Sequence, residues 1–257
     1  MELNKISVVI VSFNRVEQLR RSLTALTAPP NTSEAGLQVI VVDNGSRDGS
    51  ANLSDEFPGV RFSKLPRNFG LTRALNIGIR AAERDYILLL HDDVLIEPAA
   101  VNELAEVLEE RQDVAAICPN LNGPQVRPLP NPGNPDPPFE QPPAAAATIA
   151  ACVSGAALMA RTHFFRSMGL IDERYGNYGS AMEICAQIRT SGRKIVVLGD
   201  VTAVHGSDPS PMPAGSLKGD RATGIAAYIG KHYGMAAGIA YRMKSFAFTG
   251  TKIDGSG

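Results

Sequence analysis

The stretch Tyr86-Ile-Leu-Leu-Leu-His-Asp-Asp-Val94 decides the fold. Residues 86–90 are apolar and β-compatible, and the charged Glu83-Arg84-Asp85 bounds them upstream. A short apolar run of this kind fits a strand buried on both faces, as in a parallel sheet covered by helices. His91, Asp92 and Asp93 follow at its carboxyl end, where open α/β sheets hold their ligands. Adjacent carboxylates repel each other, and a divalent cation relieves the repulsion because hard cations take oxygen ligands. The plainer alternative is a strand-to-helix turn in which Asp92 or Asp93 caps the next helix.

Outward from this strand the same alternation repeats. Residues 6–12 read as a first buried strand, and 16–26 as an amphipathic helix with Leu19, Leu23 and Leu26 inward, ended by Pro29-Pro30-Asn31. Residues 38–43 form a second buried strand, stopped by the turn cluster Asn44-Gly-Ser-Arg-Asp-Gly49. A short helix near 51–56, a strand at 60–65 and a helix carrying Leu71, Leu75 and Ile79 on one face complete the upstream part. Downstream, Pro98 suits the first turn of a helix to about Gln112, and 114–117 is a further strand. Strands alternating with helices predict a Rossmann-like α/β domain, a mostly parallel sheet with helices on both faces.

The alternation breaks where proline recurs from Pro119 to Pro143, a density that suits a long semi-rigid loop over the sheet rather than a linker between domains. A strand at 153–160, a helix at 162–168 and a Gly- and Tyr-rich loop at 169–179 follow. Ser180 and Glu183 have capping-box spacing, and the helix they start buries Ala181, Ile184, Cys185 and Ile188. Strands at 194–198 and 201–204 lead to His205. Residues 1–215 are therefore expected to form one domain, with 216–257 a weakly helical extension.

Composition narrows the class. The chain has 257 residues, 44% hydrophobic and 20% charged, which is ordinary for a soluble globular protein. A formal net charge of -1 supplies no overall basic field, so no nucleic-acid partner is expected. Cys118, Cys152 and Cys185 lack metal-ligand spacing, and a reduced, cytoplasmic protein is the simplest expectation. Residues 1–5 lack the pattern of a signal peptide, and no run approaches the roughly 18 apolar residues of a membrane span. Between 218 and 244, Lys218, Arg221, Lys231, Arg242 and Lys244 face one acid, Asp220. A basic face beside Ile225, Ile229 and Tyr233 is compatible with peripheral contact on anionic lipid. The alternative is a solvated helix packed on the domain or on a partner chain, a homodimer included.

Four polar clusters fall at strand ends: Ser12-Phe13-Asn14-Arg15, Asp43-Asn-Gly-Ser46, Asn68-Phe-Gly70 and His91-Asp-Asp93. Each alone makes an ordinary turn; together they line one sheet edge, as a nucleotide site requires. There is no GxGxxG and no GxxxxGK[ST], so neither a dinucleotide fold nor a P-loop is supported.

Residues 8–15, 41–49, Asn68-Phe-Gly-Leu and Leu88-Leu-Leu-His-Asp-Asp-Val resemble the family 2 glycosyltransferases, and Gly169-Leu-Ile-Asp-Glu173 with His205 resembles their rhamnosyltransferase-like branch. The resemblance spans about residues 6 to 206. It implies the GT-A fold and an inverting, metal-dependent transfer of a sugar from a UDP- or dTDP-linked donor to the hydroxyl of a saccharide or lipid-linked acceptor. It further implies that Asp43 binds the nucleoside, and that Ser12, Phe13, Asn14, Arg15 and Asn68, with Gly70, Arg73 and Asp92, line the nucleotide pocket. Asp93 and His205 would hold Mg2+ or Mn2+.

Two positions depart from the family. His91 stands first in the Asp-x-Asp motif, and Ser180-Ala181 replaces the acidic pair that contains the catalytic base. Glu183, Asp172 and Glu173 are the remaining candidates for that base. Their plainer roles are a helix cap for Glu183 and turn-shaping for the other two; His205 could be a surface histidine. A rival from another class is a nucleotide-sugar-binding protein without transfer activity, which Ser180-Ala181 favours. A nucleotidyltransferase is less supported, since no Gly- and Arg/Lys-rich phosphate loop occurs near the N-terminus.

Overall fold

A computed structural model describes residues 3–28, 36–143, 146–206 and 210–249, with side chains to 245. Chain order gives β1 (Ile6–Ser12), α1 (Val16–Leu26), β2 (Gln38–Asp43), α2 (Leu53–Glu56), β3 (Arg61–Lys64), α3 (Leu71–Ala81) and β4 (Tyr86–His91). Next come β5 (Val94–Leu95), α4 (Pro98–Glu110), β6 (Val114–Asn120), β7 (Val126–Arg127), β8 (Ala147–Ala150), β9 (Cys152–Val153), β10 (Ala157–Arg161) and α5 (Thr162–Ser167). The chain continues through α6 (Ser180–Thr190), β11 (Lys194–Thr202), β12 (Val204–His205), α7 (Ala214–Tyr233) and α8 (Met235–Thr249).

Eight strands make the main sheet in the order β3-β2-β1-β4-β10-β6-β11-β8. Only β10 and the edge strand β8 run antiparallel to their neighbours. The runs of Val, Ile and Leu in β1, β2 and β4 are explained by burial on both faces. On one face Val8, Ile10, Leu88 and Leu90 pack with Leu19 and Leu23 of α1 and Leu104 and Leu108 of α4. On the other, Val9, Ile40 and Leu89 pack with Leu75 and Ile79 of α3 and Ile184 and Ile188 of α6. The parallel register sets Ser12 level with Asp43 and Val11 with His91, so three strands end side by side.

The departures from expectation come from tertiary contacts. The run at 153–160 splits into β9 and β10, because Gly155 takes φ +83 and breaks the ladder. The expected strands at 194–198 and 201–204 are one strand, β11, with an irregularity between Leu198 and Thr202. The capping box does not form. Gly179 is the N-cap of α6, and neither Ser180 nor Glu183 turns back on the helix end. Strand β8, short and alanine-rich, had no periodicity to announce it. The proposed stop at Pro29-Pro30-Asn31 lies outside the described residues.

The C-terminal segment is two full helices rather than a weak one, held by close packing. A Cβ on Gly224 of α7 would run into the Tyr178 carbonyl, and one on Gly238 of α8 would come within 2.7 Å of Gly230 Cα. Ile225, Tyr228 and Ile229 are buried against the domain, which overturns Ile225 and Ile229 as an exposed lipid face. Tyr233 and Leu217 of α7 remain exposed, and α8 adds Met235, Ile239 and Met243, one turn apart. No helix among the described residues is long and apolar enough to cross a membrane.

A glycine inside a helix costs about 1 kcal/mol relative to alanine, whereas forcing a methyl into a filled contact costs roughly 1–3 kcal/mol. Gly219→Ala, where a Cβ meets nothing within 4 Å, should therefore stabilise the protein slightly, and Gly224→Ala should destabilise it. Urea unfolding checks this; equal and favourable effects at both positions would mean that α7 does not rest on Tyr178.

Candidate functional site

The β4 carboxyl end carries two buried acids that water cannot neutralise. Asp92 accepts hydrogen bonds from Ser12 Oγ at 2.8 Å and Arg15 Nη1 at 3.3 Å, and the same Arg15 nitrogen donates to Asp93 Oδ2 at 2.8 Å. Burial pushes the Asp92 carboxyl up to about 6, only partly countered by Ser12 and Arg15. Burial would also raise Asp93, but His205, His91 and Arg15 outweigh it and hold Asp93 at about 2. Asp92 is thus a brace for the turn, and Asp93 the anionic member.

His205 arrives from the far end of the chain. The ribbon β5/β12 pairs His205 with Val94, and Gly206 N donates to the Asp93 carbonyl at 2.8 Å. This puts His205 Nε2 3.3 Å from Asp93 Oδ1 and its ring 5.6 Å from that of His91. Burial lowers His91 to about 4, so its imidazole is neutral and a nitrogen lone pair is available. His91, Asp93 and His205 each offer a ligand atom within 4.8 Å of the others. Asp93 Oδ1 is buried and makes no well-formed hydrogen bond, its nearest polar neighbour being His205 Nε2 at 3.3 Å. An orphaned carboxylate oxygen between two imidazoles fits a divalent cation. Asp93 and His205 were expected there; His91, which the Asp-x-Asp comparison marked only as a substitution, joins them as a third candidate.

The second group of expected residues converges beside the first. Asp43 is buried and accepts from Ser46 N at 3.2 Å. Asn14, with φ 52, accepts from Arg47 N at 2.8 Å and takes Ser46 Oγ on its own N–H at 2.9 Å, joining the turn that holds the half-buried Phe13 to the loop after β2. Asn44 bonds Asn68 at 3.0 Å, and Asn68 accepts from Gly70 N at 2.8 Å. Gly45, at φ +82, leaves no space for a side chain against the Arg67 backbone. Arg67 and Arg73 lie over the Phe69 ring at 4.9 and 4.8 Å, adding positive charge to this edge.

Two of the three candidate bases, Glu183 and Asp172, are tied up in ion pairs, and the third, Glu173, lies near Arg73. Glu183 is 1% exposed, and its carboxylate accepts from Tyr175 Oη (2.6 Å), Gln187 Nε2 (2.8 Å) and Lys231 Nζ (2.7 Å), with His232 Nε2 at 2.8 Å. Burial alone would raise it, but these partners hold it at about 2. Asp172 caps the turn at 173–175 and pairs with Arg174 at 2.6 Å and Lys231 at 3.6 Å. Glu173 is half exposed, 4.0 Å from Arg73. Ser180 is no base either: Thr72 Oγ1 donates to Gly176 O, so the Ser180 hydroxyl, 2.7 Å away, must donate to Thr72.

Between β4, α3 and α6 lies a largely apolar cavity of about 170 Å³, lined among others by Leu75, Leu89, His91, Ser180, Ala181 and Arg127. None of the three acids lines it. His91 lines the cavity and also belongs to the cluster with Asp93 and His205, which themselves line a separate hollow with Gln18, Arg21 and Leu95.

Residues 7–166 match the family model described as Glycosyl transferase family 2. Over 118 residues the chain is 30% identical to undecaprenyl-phosphate 4-deoxy-4-formamido-L-arabinose transferase of Proteus mirabilis, covering 44% of this chain and 36% of that protein. The chain thus spans about a third of the length of the curated relatives it matches. GalNAc-T7, solved with UDP, GalNAc and Mn2+, superposes with a TM-score of 0.65 at 17% identity over 79% of this chain and 44% of that one. TarS 1-349 of S. aureus, solved with UDP-GlcNAc, gives 0.63 at 16% identity over 97% and 77%. These structures share the GT-A-type architecture.

Glu183 ionises well below its ordinary 4.5, so its stabilising contribution is complete above that pH and is lost as pH falls from there toward 2. The shift corresponds to on the order of 3 kcal/mol. Between pH 5.5 and 3, the wild type should lose more unfolding free energy than Glu183→Gln. Equal losses in the two proteins would show that the carboxylate is not held by Lys231 and His232.

Proposed function

This chain belongs to glycosyl transferase family 2, and from that premise we propose that it transfers a sugar from a uridine or thymidine diphosphate donor held through a divalent cation. The observation that carries this reading is the orphaned Asp93 oxygen between His91 and His205, beside the pocket of Asp43, Asn14 and Asn68. Of the two expected ions Mn2+ suits the site better, since Mg2+ prefers an all-oxygen shell and two of the three ligands are imidazoles. Bound there, the cation would neutralise charge on the departing diphosphate.

The chain's own groups divide the remaining work. Asp43 accepts a hydrogen bond from the base or ribose, as acidic residues do at the ends of nucleotide-binding strands. Arg15 keeps Asp92 and Asp93 together, so the ligand carboxylate is fixed before donor arrives. Displacement at the anomeric carbon, with inversion, then needs only a nucleophile in line with the leaving group.

For a hydroxyl nucleophile the difficulty is the base. Glu183 and Asp172 are engaged by other partners, which favours a second reading in which the domain binds donor and transfers slowly or not at all, and leaves Glu173, half exposed near Arg73, as the accessible candidate. The undecaprenyl-phosphate named for the Proteus mirabilis relative supports a lipid-linked acceptor. Peripheral contact with anionic lipid belongs to the same reading and is assigned to α8, where Met235, Ile239 and Met243 are exposed beside Arg242 and Lys244.

Calorimetry with UDP and Mn2+ tests the donor site. Asp93→Ala should abolish metal-dependent binding with the fold intact. Asp43→Ala should weaken UDP by about 1–3 kcal/mol, the penalty for an unpaired polar partner, while leaving pyrophosphate unaffected. Unchanged UDP affinity in chelator, for wild type and Asp93→Ala alike, would remove the metal from the account.

A further inference from the structure

The main sheet has two edges, and only one of them is guarded. At the β3 edge Arg61 and Lys64 are exposed, and Arg61 pairs with Glu83 at 3.1 Å. Charged side chains of this kind keep an edge strand from pairing with another chain. At the β8 edge the sequence from Gln141 to Ala160 carries no charged residue, and Ile149 is 63% exposed. No proline or bulge interrupts β8, whose register against β11 runs unbroken from Ala147 to Ala150.

That register decides which main-chain groups face outward. Gly199 N donates to the Ala146 carbonyl, so residues 146, 148 and 150 spend their N–H and C=O groups on β11. The alternate residues, Ala147 and Ile149, turn theirs away from it. Among the described residues no strand lies beyond β8. Unpaired donors and acceptors beside an exposed isoleucine are a template for a further strand.

Symmetry and charge identify the occupant. Two copies related by a two-fold axis at Thr148 set Ala147 of each opposite Ile149 of the other, and both pairs are of the hydrogen-bonded kind. The outward groups of β8 are then met by the same groups of the second copy. Each Ile149 packs over an alanine and lies diagonally across from its twin. With no charge in the strand, self-pairing brings no like charges together. Pairing with β3 would instead meet Arg61 and Lys64, and its head-to-tail repeat would not close.

We propose that β8 is the docking edge for a second copy of this chain, joining two sheets antiparallel into one. The strand has only 4 residues, so the pair is a weak, concentration-dependent dimer rather than an obligate one. Strands β1 and β2 lie toward the opposite end of the sheet order, which leaves the donor edge of each copy open. The dimer therefore needs neither metal nor nucleotide.

Sedimentation velocity across micromolar concentrations, with hydrogen exchange on the same samples, tests this. The wild type should pass from monomer to dimer as concentration rises, and exchange of the Ala147 and Ile149 amides should slow with it. Ile149→Lys changes a solvent-exposed side chain and should raise the dissociation constant at least tenfold, while Ile149→Val keeps the dimer. Ile149→Pro removes an outward N–H, which an edge strand tolerates, and should weaken the dimer as well, the mark of main-chain pairing. Met243→Glu, on the exposed face of α8, should leave the dimer unchanged. A monomer at every concentration overturns the proposal, as does a dimer that survives Ile149→Lys and is lost in Met243→Glu. Protected Ala147 and Ile149 amides in a monomer would assign the edge to another segment of this chain and overturn it equally.

Discussion

Two carboxylates at the end of a buried strand cannot both stay ionised without a cation, and the Arg15 guanidinium between Asp92 and Asp93 meets that constraint. The surrounding structure follows from it. Arg15 is placed by the turn after β1, which is fixed in turn by Asn14 and Ser46. Asp48 anchors the start of α1 through the Val16 N–H at 2.8 Å, so the loop after β2 sets the helix after β1. Parallel register then delivers Ser12, Asp43 and His91 to one edge. What Arg15 leaves unmet is Asp93 Oδ1, and that residual demand is the basis of the metal reading.

The C-terminal helix belongs to the same economy of charge. Glu183 occupies the helix turn beyond the place where a base would stand, and its carboxylate is consumed by Lys231 and His232 of α7. Asn177 donates to Asp220 of α7 at 2.9 Å and also accepts from Leu71 N, at the start of α3. Arg221 of α7 reaches Asp136 in the proline-rich segment. Helix α7 therefore ties together the two loops that wall the apolar cavity. Its removal would be felt at the cleft although none of its residues lines the cavity.

Much of this was legible in the residues. The apolar runs of β1, β2 and β4 and the 3.6-residue period of α1 declare themselves, because burial on two faces or one stripe leaves a pattern. That Asp43 and Asp93 would stand at strand ends was legible from the apolar runs before them, and the family resemblance pointed to His205, which the fold sets beside Asp93. Less legible were features decided by distant partners. Ser180 and Glu183 have the spacing of a capping box, yet Thr72, Tyr175 and Lys231 claim their side chains. Ile225 and Ile229 looked like part of an exposed basic face, and packing buries them. Arg127 carried no sequence signal beyond lying among prolines; only the fold places it against a cavity.

The central claim is that His91, Asp93 and His205 hold a divalent ion that presents a nucleoside diphosphate to Asp43. Anomalous diffraction from crystals soaked with UDP and Mn2+ tests it most directly. The account predicts one manganese peak between the two imidazoles and the Asp93 carboxylate, in contact with the diphosphate, with the uracil end at Asp43. Ordered UDP at this edge without manganese, or manganese bound away from these three side chains, would contradict it.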